Sequence, residues 1–347
     1  MALVTLCMIV KNEEAVLERC LKSFAPVADE IVIVDTGSTD RTKEIAASYT
    51  DKIYDFAWVD DFSAARNFAF SKCTKEYIYS ADADEVLDDE NRERFLLLKE
   101  NLLPEIEIVQ MWYINRHDFR TTENFERDLR PKLYRRERHF TWIEPVHETV
   151  RLEPVVFDSD IEILHMPVSA HQGRDFGIFK KLSAGEEGMS GKLRHMYAKE
   201  LLLSGSAEDF ADAALFFKKE FYETAMDTSE KSEVCAVLTH HYRLAGDKDE
   251  FFKWALKNIS MSPCSEVCME LGNFYFDKGD VDEAAVWYVN AAEETEPVLK
   301  AQARSDAYEM LSHVYEKTAG LHPEIKDQAL EMAVQYKMKA KEVTYKS

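Results

Sequence analysis

Glu76-Tyr77-Ile78-Tyr79-Ser80-Ala81-Asp82-Ala83-Asp84-Glu85 is the stretch from which the rest of the chain is best read. The aromatic and β-branched run Tyr77-Ile78-Tyr79 has the composition of a buried strand, and it leads directly into three carboxylates. Side chains two residues apart on a strand share a face, so Asp82 and Asp84 are expected to point into one space. Two carboxylates that close repel each other unless a cation lies between them. Hard oxygen donors of this kind suit Mg2+ or Mn2+. An isolated Asp-x-Asp is more often a solvated acidic turn, so the surrounding sequence has to carry the stronger reading.

Outward from this stretch, strands and helices alternate. Leu3–Val10 reads as a buried strand, and Val16, Leu17, Cys20, Leu21 and Phe24 then fall at helical spacing. Ile31–Val34 is a second strand, closed by Asp35-Thr36-Gly37-Ser38-Thr39-Asp40, and a helix is expected over Arg41–Tyr49 with Ser38 or Thr39 as its cap. Ile53–Phe56 and a helical Phe62–Phe70 continue the order. Such alternation predicts parallel strands with helices on both faces, and ligands bind beyond the carboxyl ends of strands in open sheets of this kind. Asp35, Asp82 and Asp84 all fall at such ends. Gly37 is the only glycine before residue 173, so neither a dinucleotide-binding Gly-x-Gly-x-x-Gly nor a Walker loop exists.

The 347 residues, 46% hydrophobic and 12% aromatic, are enough for two globular domains. A net charge of −22 argues against nucleic acid or an anionic membrane as a general partner. Against that background, Arg127–Arg138 holds six basic residues and two acids, a local excess expected to serve an anionic group such as a diphosphate. The six cysteines are scattered in apolar contexts and read as reduced core thiols. No apolar run is long enough to span a bilayer, so the chain is expected to be cytoplasmic.

Residues 173–191, with five of the eleven glycines, read as a mobile linker or an active-site lid. Residues 192–347 are helical and partly repetitive. Leu271, Gly272, Tyr275, Gly279, Ala284, Tyr288, Ala291 and Pro297 follow the tetratricopeptide pattern. Weaker copies run through Leu238, Tyr242, Gly246, Trp254 and Pro263, through Leu311, Tyr315, Ala329 and Tyr336, and through Tyr197, Leu201, Ala213 and Phe217. Such units stack to bury their apolar faces.

The first half, about residues 3–172, resembles the family 2 glycosyltransferases, which use nucleotide sugars and have the GT-A fold. The motifs that carry the resemblance are Val4-Thr5-Leu6-Cys7-Met8-Ile9-Val10-Lys11-Asn12-Glu13, Ile31–Asp40, Asp61-Phe62-Ser63-Ala64-Ala65-Arg66-Asn67 and Asp82-Ala83-Asp84-Glu85, in the family's order. Leu129-Arg130-Pro131-Lys132-Leu133-Tyr134-Arg135-Arg136, followed by Val146-His147-Glu148, is similar to a block of one bacterial branch. Glu144-Pro145 departs from it, because that branch usually has a small residue or glycine there. The resemblance implies an α/β chain: a GT-A, Rossmann-like mixed-sheet domain over 1–172, the 173–191 segment, and an all-α tetratricopeptide-like domain over 192–347.

It further implies donor contacts by Thr5, Lys11, Glu13, Asp35, Arg66, Asp82, Arg130 and Arg135, with Asp35 at the nucleotide base. Asp84, Asp82 and His165 are the implied Mg2+ or Mn2+ ligands, Asp82 touching the ribose or a metal-bound water and His165 open to a plain core role, with His171 a spare. Glu148 and His147 compete as general base for an inverting transfer from a nucleotide diphosphate sugar, UDP-linked, to a peptide or cell-surface glycan. The layout is also similar to bacterial peptide S-glycosyltransferases. The helical half is expected to hold a polypeptide acceptor or to form a homodimer, with Trp254, Trp287 and Tyr288 as candidate exposed anchors. Two other readings remain: a scaffold acting through its helices beside a weak transferase domain, and a nucleotidyltransferase, for which the early glycine-rich loop is missing.

Overall fold

The structure, a computed structural model, describes residues 1–115, 127–150, 154–167, 174–185, 188–299 and 302–344. His171 and Gly173 lie outside the described residues. Two compact units divide the chain at His171 and Gln172.

The first unit contains β1 (Val4–Val10), α1 (Leu17–Phe24), β2 (Glu30–Asp35), α2 (Thr42–Ala47), β3 (Ile53–Asp55), α3 (Phe62–Lys72), β4 (Tyr77–Ala81), β5 (Glu85–Val86), α4 (Asp89–Asn101), β6 (Ile108–Asn115), β7 (Arg127–Arg135), β8 (Trp142–Ile143), β9 (Thr149–Val150) and β10 (Val156–His165). Eight strands form one sheet in the order β3-β2-β1-β4-β7-β6-β10-β5, while β8 and β9 make a separate hairpin. β3, β2, β1 and β4 are parallel, as the alternation predicts. β7 then enters antiparallel between β4 and β6, which makes the sheet mixed.

Alternation along β1 assigns its two faces. Val4, Leu6, Met8 and Val10 pack with Leu17, Leu21, Phe24, Ala46 and Phe95, so α1, α2 and α4 cover one side. Cys7 instead joins Val32, Val34, Ile78, Ala69 and Cys73 under α3 on the other. Helix starts follow local chemistry, with one departure from expectation. Asp61 caps α3 by accepting from the Ala64 N–H at 3.0 Å. Neither Ser38 nor Thr39 caps α2. Asp40 accepts from the Thr42 N–H at 3.0 Å, while Ser38 and Thr39 bond Asn12 instead.

The second unit contains α5 (Arg174–Ala184), α6 (Gly191–Ser204), α7 (Ala207–Glu223), α8 (Thr228–Ala245), α9 (Lys248–Met261), α10 (Ser265–Lys278), α11 (Val281–Val289), α12 (Ala303–Leu321) and α13 (Lys326–Thr344). Part of the glycine-bearing segment is therefore ordered helix: Phe179 of α5 is buried and stacks on Tyr197 at 4.8 Å. From α6 onward the helices come in pairs that match the four sequence copies. Gly246-Asp247 and Gly279-Asp280 punctuate two of them identically. Each glycine ends a helix at positive φ, +72° and +81°, and each aspartate caps the next helix. Trp254 and Tyr288 are fully buried, so neither is an exposed anchor; large aromatics at repeat positions fill the seam between helices.

Gly272 lies where α10 and α11 approach, and a Cβ there would sit 2.5 Å from the Tyr288 ring. Helix propensity alone favours alanine by about 1 kcal/mol. Overpacking costs about 1–3 kcal/mol and wins here, because Tyr288 is held by its hydroxyl's 2.8 Å bond to Asn273. Gly272→Ala is therefore expected to lower stability in urea unfolding, and a gain would show that the ring can move aside.

Candidate active site

Asp35 ends β2 and its register partner Val10 ends β1. The loops that follow are laced together. The Asn12 N–H donates to Ser38 Oγ at 2.9 Å, the Thr39 N–H to Asn12 Oδ1 at 2.8 Å, and the Glu13 N–H to Thr42 Oγ1 at 2.7 Å. Asp35 is 2% exposed; its Oδ1 accepts from the Gly37 and Ser38 N–H groups at 3.0 and 2.9 Å. Its Oδ2 is buried with no hydrogen-bond partner among the described residues. Lys11 is exposed at this rim, beside the half-buried Glu13.

One strand beyond β1, β4 ends at Ala81, so Asp82 and Asp84 lie on a turn rather than alternating along a strand. The turn sends them apart. Asp82, half-exposed, faces cations: Lys132 Nζ at 3.5 Å and Arg66 at 4.0 Å. Burial would raise its carboxyl, but Lys132 and Arg66 outweigh that and hold it far below the usual range. Asp84 turns instead toward β10, because β5 pairs with that strand's end, His165 opposite Glu85. His165 Nε2 is 3.0 Å from Asp84 Oδ2, and its Nδ1 is 2.7 Å from Asn115 Oδ1. The Met166 N–H donates to the Asp84 carbonyl at 2.9 Å, and Arg19 to the Met166 carbonyl at 2.5 Å, which clamps the turn.

The ring thus lies between the Asn115 amide and the Asp84 carboxylate, within hydrogen-bond range of both. Asp84 Oδ1 is, in addition, buried with no hydrogen-bond partner among the described residues. A divalent ion fits this donor set of one carboxylate and one oriented imidazole. Among the described residues no group of three or more His, Cys, Asp or Glu is arranged to hold an ion, so further ligands would come from water and substrate.

Three groups absent from the sequence-based set complete the site. Glu85 is fully buried, with Lys132 on one oxygen and the Tyr79 hydroxyl on the other at 3.1 Å. Burial, then the charges of Asp82 and Asp84, push its carboxyl upward, while Lys132 opposes them. Lys132, 6% exposed, is the cation these carboxylates share. Its position two residues from Arg130 on β7, hence on the same face, was the available signal. Asn67 forms the third: its amide donates to the Trp142 carbonyl and accepts from the Trp142 N–H, both at 2.9 Å, like a strand edge for β8.

Arg66, the residue before, reaches Glu148 through Nε at 2.6 Å and Ser80 through a terminal nitrogen at 2.6 Å. Glu148 is thus paired with a guanidinium, and His147 is exposed with φ at 51°. Both lie in the bend between β8 and β9, not on a strand, so strand alternation does not set their directions. Glu144 in the same bend has φ of 72°, a conformation that glycine adopts freely.

Two expected donor residues are elsewhere. Thr5 is fully buried near the amino end of β1, donating to Glu30. Arg135 pairs with Tyr77 at the amino end of β4, roughly 17 Å of strand from Arg130. Arg130 stays near the carboxylates, stacked 3.9 Å over Tyr113. The basic run is therefore divided between the two ends of the sheet.

Residues 5–151 match the family model described as glycosyl transferase family 2. The first unit is a family 2 glycosyl transferase domain. The chain is 34% identical over 149 residues to the lipopolysaccharide core biosynthesis glycosyltransferase LpsC of Rhizobium meliloti, covering 40% of this chain and 53% of that one. It is 37% identical over 91 residues to the SPbeta prophage-derived glycosyltransferase SunS of Bacillus subtilis, 26% of this chain and 22% of that one. A TPR repeat-containing protein of Synechococcus elongatus is 49% identical over 87 residues, 25% and 22% of the two chains. The chain spans about half the length of these curated relatives, or less. Glucosyl-3-phosphoglycerate synthase from Mycobacterium tuberculosis, solved with Mn2+ and UDP-glucose, has a TM-score of 0.39 and 13% identity over 52% of this chain and 77% of that one. No helix among the described residues is long and apolar enough to cross a membrane.

In the transferase domain the network around Thr5 ties the amino ends of β1 and β2 together. Burial would raise the Glu30 carboxyl, but Lys52, Thr5 and Thr74 outweigh it and hold it at about 2 against an ordinary 4.5. The stability this confers, roughly 3 kcal/mol, is present above pH 4.5 and lost as pH falls through about 2. Glu30→Gln is thus expected to lower stability most at neutral pH, with the gap to the parent closing in acid. A gap of equal size at pH 3 and pH 7, measured by urea unfolding, would contradict this.

Proposed function

We propose that the transferase domain moves a sugar from a UDP-sugar to a polypeptide or glycan acceptor with inversion and with Mg2+ or Mn2+. The observation that carries the reading is a pair of buried carboxylate oxygens without hydrogen-bond partners among the described residues, Asp35 Oδ2 and Asp84 Oδ1, at the carboxyl ends of β2 and β4. These strands flank β1, so the two sites are about 10 Å apart by strand spacing. Asp35 is suited to accept the imide N–H of a uracil. Asp84 and His165 would hold the cation, which neutralises charge on the diphosphate when bound. Asp82 meets the ribose, and Lys11, Glu13 and Arg130 border the donor.

Lys132 and Arg66 add fixed positive charge where the leaving group becomes more anionic, in a site that is partly closed to water. Glu148 takes the acceptor proton, with His147 the reserve candidate. In the free protein Glu148 is occupied by Arg66, so diphosphate and Glu148 compete for one guanidinium. Donor binding draws Arg66 away and leaves the carboxylate able to accept a proton. The paired helices of the second unit hold the acceptor or a second copy of the chain, and the protein works in the cytoplasm.

Two measurements test this. UDP with Mn2+ is expected to raise the melting temperature, by mass action on the folded state, and Asp84→Ala to remove the dependence on Mn2+. Identical shifts with and without metal in the parent would remove the cation from the reading. Glu148→Gln is expected to lower turnover by about 10²-fold or more while UDP binds more tightly, because the competing carboxylate is gone. Near-normal turnover would move the base to His147, and unchanged UDP affinity would end the competition for Arg66.

A further inference from the structure

The basic run is only half accounted for by the donor site. Lys132 and Arg130 face the carboxylates, whereas Arg135 and Arg136 lie at the amino end of β4, beside the C-terminal half of α3. There they border a groove of about 520 Å³, inside the usual range for small-molecule sites. Its apolar wall is Phe70, Tyr134 and Phe140, held edge to face at 5.7 Å for each contact with Tyr134. Arg136 and His139 stand beside that wall, while Arg135 at the rim is opposite Tyr77 and so turned to the other face of the sheet from Tyr134; among the described residues no Asp or Glu lines the groove.

This grouping is unusual on a chain of net charge −22. Arg136 spends its Nε on the Lys75 carbonyl at 2.8 Å, which orients the guanidinium without neutralising it. Among the described residues no carboxylate pairs with Arg136. An oriented guanidinium without a carboxylate partner, at the edge of an aromatic wall and beside an imidazole, matches a ligand with an anionic head and an apolar body. Asn67 lines the groove as well as holding β8, but Asp35, Asp82, Asp84 and Lys132 are absent from the lining, so the groove opens away from the donor carboxylates.

We infer that this groove is a second binding site, for a phosphate monoester carried on an aromatic or alkyl group. A soluble aryl phosphate and a lipid-linked phosphate share that chemistry. Phenyl phosphate and octyl phosphate, titrated calorimetrically into the full chain, stand for the two sources. At least one is expected to bind with a Kd below about 1 mM, and inorganic phosphate and phenol at least about tenfold more weakly. Excess UDP leaves that binding unchanged. Arg136→Gln weakens it at least about tenfold, and Ser71→Trp, which fills the groove and keeps Arg136, does the same. Absence of binding by both esters, displacement by UDP, equal binding of inorganic phosphate, or full affinity in Ser71→Trp overturns the inference.

Discussion

Three carboxylates within four residues, Asp82, Asp84 and Glu85, constrain the whole first unit. Burying ionised carboxylates without compensation costs several kcal/mol each, so every neighbouring element must bring a positive or proton-bearing group to one turn. β7 brings Lys132, α3 brings Arg66, β10 brings His165, and β4 itself contributes the Tyr79 hydroxyl. The antiparallel insertion of β7 follows the same logic. Continuing its register from Tyr79 opposite Leu133 sets Lys132 level with Ser80, next to the turn. β5 is only two residues long, yet it fixes Asp84 against His165.

The Asp-Phe-Ser-Ala-Ala-Arg-Asn motif gains a structural meaning from this arrangement. Its aspartate starts the helix, its arginine reaches across to Glu148 and Ser80, and its asparagine holds the strand that leads to Glu148. The consecutive residues Arg66 and Asn67 thus control one hairpin by different means, one by charge and one by mimicking a strand edge. Charge pairing responds to an arriving anion, whereas the amide pairing does not. The hairpin can keep its place while its carboxylate is released.

Strand alternation was legible in the sequence, because a buried strand leaves a run of β-branched and aromatic residues whatever surrounds it. The helical repeats were also legible, two of them through Tyr242 and Gly246 recurring as Tyr275 and Gly279, the other two more faintly through leucine, alanine and aromatic positions. What could not be read was the pairing partner of each charge. Lys132 and Arg135 look alike on paper, but β7 carries them to opposite ends of the sheet. Thr5 belongs to a matching motif, yet it is at the wrong end of its strand to meet a ligand. The turn after Ala81 escaped strand logic because Asp82 and Asp84 are separated by where their partners lie, not by periodicity.

The contact between Asp84 and His165 joins residues 81 apart in sequence. A ribosome adding roughly 5–20 residues per second takes about 4–16 s to make that interval. During that time the acidic turn exists without its imidazole, and Glu85 without the strand that covers it. The first unit therefore cannot mature in the order in which it is synthesised: its chemical centre waits for its last strand. A ribosome that pauses before His165 would hold a nascent chain whose Asp84 carboxylate still lacks its imidazole.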